Sequence, residues 1–78
     1  MKCVFVQIRC SPGHTYDVAD AIYQREVVSE LYSTSGDFDL MAKLYIPEDE
    51  DIGKYIDKVI GGIANISRTL TTMTFQAF

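Results

Sequence analysis

The chain opens on a run of β-branched and aromatic residues with a period of two, K-C-V-F-V-Q-I-R-C over residues 2–10, which predicts a strand. Val4, Val6 and Ile8 line one face of it, and Cys3, Phe5, Gln7 and Arg9 line the other. Ser11-Pro12-Gly13 breaks the run, and Val18, Ala19 and Ile22 then form the apolar stripe of a helix that should end near Arg25. Residues 27–34 and 38–46 read as two further strands joined by a turn of hairpin length at Ser35-Gly36-Asp37. Phe38, Leu40, Ala42, Leu44 and Ile46 share one face of the second of these, with Asp39, Met41, Lys43 and Tyr45 on the other. Pro47 stops that strand and opens a second helix, with Glu48-Asp49-Glu50-Asp51 as its first turn. Ile52, Tyr55, Ile56, Val59, Ile60 and Ile63 recur along it at helical spacing, and Gly61-Gly62 ends it. Residues 66–78 complete the pattern as a threonine-rich strand.

The order β-α-β-β-α-β over residues 1–78 predicts a single α+β domain of the ferredoxin-like sandwich class, with two helices on one face of a four-stranded antiparallel sheet. The other face is expected to carry Phe5, Met41, Tyr45, Met73 and Phe75. That apolar patch is too large to face water on so small a domain, so the sheets of two copies are expected to pack together in a dimeric α/β barrel-type assembly.

Composition changes this picture in three ways. At 47% hydrophobic and 23% charged residues the chain is globular, and its size calls for a supplement to its own core. Cys3 and Cys10 stand seven residues apart on one strand. Their Cα atoms are then on the order of 23 Å apart, beyond bridging range. That leaves a second subunit as the supplement, in a reducing, cytoplasmic setting, with no leader or membrane segment in the chain. The net charge of −4, with seven scattered basic residues, argues against direct nucleic-acid binding.

Candidate chemistry is sparse. Counted from Asp49, the acidic cluster lacks the third carboxylate of a calcium loop and has Ile60 at its twelfth position, so it reads as a charged helix start. Cys10 and His14 have a metal-compatible spacing without two further ligands, so neither a metal nor a cofactor is expected. A lone histidine without a nucleophile elbow gives no catalytic set and points to a protein that is not an enzyme. RNA-recognition domains share the element order, but Asp37 and Asp39 stand where those domains place a small residue and a stacking aromatic. The 36–39 hairpin has two readings: a turn with polar shoulders, or a pocket in which a carboxylate meets an ammonium group and amide N–H groups meet a carboxylate. Thr69 and Thr71 are positioned by sequence to add hydroxyl contacts, or serve simply as strand formers.

Three segments, S-P-G-H-T-Y-D-V-A-D-A-I, S-T-S-G-D-F-D-L-M-A-K-L and I-S-R-T-L-T-T-M-T-F, resemble the RAM domain of Lrp/AsnC transcription regulators over nearly the whole chain. The T-S-G-D-F-D-L hairpin is the most specific of the matches. The regulators carry a helix-turn-helix ahead of this domain, so the chain resembles the stand-alone RAM proteins. The resemblance implies a homo-oligomer, a dimer assembling further into tetramers, octamers or decamers. It also implies a small effector, an amino acid, bound at subunit interfaces, and co-assembly with full-length Lrp/AsnC regulators. The implied ligand-binding residues are Gly36, Asp37, Phe38, Asp39 and Leu40, with Thr69 and Thr71. Leu70-Thr71-Thr72 is more polar than the family's aliphatic pattern and leaves the effector open. Three other readings compete: a ligand-free oligomerisation module, a dimeric α+β barrel enzyme, and an ACT-type regulatory domain with its ligand near the Pro12-Gly13 turn.

Overall fold

In the computed structural model, which describes residues 1–78, the chain forms strand β1 (Lys2–Cys10), helix α1 (Thr15–Gln24) and strands β2 (Glu30–Ser33) and β3 (Leu40–Ile46). Helix α2 (Ile52–Ile60) and strand β4 (Ile66–Met73) follow. The strands make one antiparallel sheet in the order β2-β3-β1-β4, the ferredoxin-like arrangement expected from the element order. Period-two patterning puts Val4, Val6, Ile8 and Cys10 of β1 beside Leu40, Ala42, Leu44 and Ile46 of β3 under the helices. Val18 and Ile22 of α1 and Val59 of α2 complete a core with no buried polar side chain.

Several boundaries differ from the expected ones, each for a local reason. Strand β2 has four residues because Val27 and Val28, consecutive in sequence, both pack against the core, which the alternation of a strand forbids. Glu26, at φ 57°, reverses the chain beforehand. Helix α2 begins at Ile52, not at Pro47. Residues 47–50 close a turn through Glu50 N–H to the Pro47 carbonyl at 3.0 Å, and Asp51 caps the helix by accepting from the Lys54 N–H at 2.9 Å. The acidic cluster is therefore a turn and a cap instead of a first helical turn.

Strand β4 stops at Met73, because Met73 pairs with Val4 near the start of β1 and little template remains beyond it. Only Thr74 continues, its hydroxyl donating to the Cys3 carbonyl at 2.6 Å. Residues on paired antiparallel positions share a sheet face. Met73, opposite Val4, therefore lies on the helix side, and the open face carries Leu70 and Thr72, opposite Gln7 and Phe5. Phe75 lies beyond the sheet and is 98% exposed, so it too leaves the expected open-face group. No residue of β4 is fully buried: this edge strand is held by its ladder to β1 and by Ile66 against the core.

Candidate functional site

The β2–β3 connection is built by backbone pairing. The Thr34 N–H donates to the Asp39 carbonyl at 2.9 Å and the Thr34 hydroxyl to the Phe38 carbonyl at 2.9 Å, closing a loop in which Gly36 takes φ +96°. That conformation suits glycine, and the space around its missing Cβ is open.

Asp39 ties this loop to the end of β1. Its N–H donates to the Ile8 carbonyl at 2.9 Å, and its Oδ2 accepts from the Cys10 N–H at 2.7 Å. The carboxylate thus replaces a ladder partner on the β3 side of β1, just beyond the last β1–β3 pair, Ile8 opposite Leu40. The Cys10 thiol beneath it is pushed up from its ordinary pKa, first by burial and then by the Asp39 charge, against a lowering contact from Thr15.

The expected site residues therefore divide. Gly36 and Asp37 are exposed at the loop tip, and Asp37 forms no ion pair. Phe38 is half-buried, with the Arg68 guanidinium 5.0 Å from its ring centroid. Asp39 is a strand cap, and Leu40 is a core residue 1% exposed. Thr69 and Thr71 sit opposite Ile8 and Val6, on the helix side of the sheet, and do not share the face on which Arg68 lies.

Two groups of polar residues escaped the sequence reading because only strand register assembles them. Arg9 and Arg68 are direct cross-strand partners on the open face, at the end of the sheet nearest the hairpin. Toward the β2 edge, Glu30 takes a hydrogen bond from the Tyr32 hydroxyl and an ion pair from Lys43 at 3.2 Å. The Tyr32 hydroxyl and Lys43 hold the Glu30 carboxyl below its usual range; Tyr32 is raised in turn, and Lys43 is raised by Tyr45 and Glu30. Lys43 also sits 5.4 Å from the Tyr45 ring centroid. At the opposite end of the open face from the hairpin, Cys3, Phe5, Lys43 and Tyr45 line a pocket of about 360 Å³ with Thr74, Gln76 and Ala77. No group of three or more His, Cys, Asp or Glu side chains gathers for a metal, and no helix is long and apolar enough to cross a membrane.

The model of the Lrp/AsnC ligand binding domain matches residues 3–78. The chain belongs to the Lrp/AsnC ligand-binding domain family. The HTH-type transcriptional regulator FL11 of Pyrococcus abyssi is 29% identical over 72 residues, covering 92% of this chain and 47% of that protein. The chain thus spans about half the length of the curated relatives it matches. Among solved structures, TTHA0845 from Thermus thermophilus superposes with a TM-score of 0.88 at 28% identity, covering 100% of this chain and 98% of that one. The Neisseria meningitidis transcriptional regulator NMB0573, solved with L-Met, has a TM-score of 0.75 at 9% identity, over 96% of this chain and 50% of its own, a likeness of fold. These comparisons make the Lrp/AsnC domain a ligand-binding domain of the kind found in transcription regulators.

Proposed function

We propose that this Lrp/AsnC domain is a non-enzymatic, oligomerising effector module that binds an amino acid at an interface between subunits and modulates Lrp/AsnC regulators. The observation that carries the reading is the open sheet face, where Phe5 and Met41 are half-buried and Tyr45 and Leu70 are 41% and 49% exposed. A face of that kind gains by meeting another copy, as the exposed edge strand β4 does. The hairpin adjoins it and offers the unpaired Asp37 carboxylate and the open backbone at Gly36 for an ammonium and a carboxylate. A regulator of the same fold solved with L-Met supports an amino acid as the ligand class.

Sedimentation equilibrium should give at least a dimer that Phe5→Glu weakens, and calorimetry of the chain against the twenty amino acids should give saturable heat with one or a few. A monomer at micromolar concentration would refute the assembly. Absence of heat with every amino acid, with the dimer intact, would leave the ligand-free oligomerisation module, which the use of Asp39 as a strand cap favours.

A further inference from the structure

Arg9 and Arg68 face each other across the β1–β4 ladder, the only place in the sheet where two cations are direct partners. Like charges in that position repel. Neither arginine has a carboxylate within ion-pair distance, in a chain whose net charge is −4 and whose Lys43 and Lys58 both do. Both side chains are exposed, and the Arg68 guanidinium lies over the Phe38 ring. Stacking covers one plane of a guanidinium and leaves its N–H edge to point outward, the geometry that takes a carboxylate through two parallel hydrogen bonds. Asp39, the carboxylate nearest in the chain to Phe38 on its strand side, already accepts from the Cys10 N–H.

We propose that Arg9 and Arg68, with the Phe38 ring as a plate, form a binding site for the carboxylate of a small molecule. An anion there removes the repulsion between the two guanidiniums and is held by both forks, so binding stabilises the folded sheet. For an amino acid the same end of the domain supplies Asp37 toward the ammonium group, and only that extension rests on the effector reading above. The two arginines lie on the sheet face opposite Thr69 and Thr71, and Arg68 meets the hairpin at the Phe38 ring.

The chain has three arginines, Arg9, Arg25 and Arg68, so the side-chain Nε–H region of a ¹H–¹⁵N spectrum holds three signals, and Arg25, donating to the Lys58 carbonyl, is an internal control. Titration with sodium acetate at constant ionic strength should move the Arg9 and Arg68 signals together and saturably, in the millimolar range, while Arg25 stays. Acetamide, the same size without the charge, should move none. Arg68→Gln should abolish the response of Arg9, and Arg9→Gln that of Arg68, with the backbone spectrum retained. Equal drift of all three signals would overturn the site. So would Arg9 and Arg68 signals that ignore acetate but follow chain concentration, which would assign their carboxylate to a second copy. Amino acids that give heat while the arginine signals stay put would sink this site and leave the effector reading standing. Acetate-responsive arginines with no heat from any amino acid would do the reverse.

Discussion

Asp39→Ala separates two roles for the same carboxylate, because the structure uses it on the fold before any ligand arrives. The substitution removes the acceptor of the 2.7 Å hydrogen bond from the Cys10 N–H, a half-buried contact that joins the β2–β3 connection to the end of β1. A hydrogen bond to a charged group contributes about 1.5–3 kcal/mol to stability, more than a neutral one, and the orphaned N–H has no replacement in the β1–β3 ladder, which ends at Ile8 and Leu40. In a domain of 60–100 residues, 1 kcal/mol moves Tm by about 4–8 °C, so Asp39→Ala should melt roughly 6–24 °C below the parent. Asp39→Asn keeps a neutral oxygen at the same place and should lose about 1 kcal/mol. Asp37→Ala, at the exposed tip without a partner, should stay within about 0.5 kcal/mol. Thermal unfolding by circular dichroism at one fixed chain concentration measures all three. Asp39→Ala as stable as Asp37→Ala would refute the capping role. Any loss of ligand affinity in Asp39→Ala could then be read as direct contact.

Other consequences follow from single contacts. The Glu30 carboxyl is lowered by Tyr32 and Lys43, so its stabilising contribution is complete above the ordinary carboxylate range and is lost as pH falls through the depressed value. Glu30→Gln should therefore flatten the acid limb of stability against pH, as followed by Tm from pH 2 to about 7. A Cβ at Gly61 would collide with the Asp57 carbonyl oxygen, whereas Gly62, at φ +74°, has nothing within 4 Å. Gly61→Ala should cost about 1–3 kcal/mol in urea unfolding and Gly62→Asn less, since asparagine tolerates the left-handed region; the opposite order would contradict Gly61 as the C-cap of α2, where its N–H donates to the Asp57 carbonyl. Cys10 is 6% exposed with a raised pKa while Cys3 lies half-buried on the open face, so iodoacetamide at pH 8 should label Cys3 first by peptide mass mapping.

The core faces of β1 and β3 were legible residue by residue, because a period of two admits only two assignments and only one of them buries Val4, Val6, Ile8, Leu40, Ala42, Leu44 and Ile46. Helix α2 was legible for the same kind of reason, its stripe leading to Val59. Where neighbouring residues obeyed different demands the pattern misled. Val27-Val28 have high strand propensity yet both turn to the core, and the threonine-rich tail outruns the strand it would pair with.

The hairpin motif marked the family and the loop, and local turn chemistry accounts for Gly36. It could not say that Asp39 caps a strand 29 residues upstream, or that Leu40 belongs to the core, since both depend on what β1 presents there. By itself, then, the sequence determined the element order, the core stripes and the family, all of which are set by spacing along one chain. Only the tertiary structure decided the register of β4 on β1. Register moves side chains between faces in steps of one residue, and nothing local records it on an exposed edge strand. That register sends Thr69, Thr71 and Met73 to the helix side and brings Arg9, Arg68 and Phe38 together beside the hairpin.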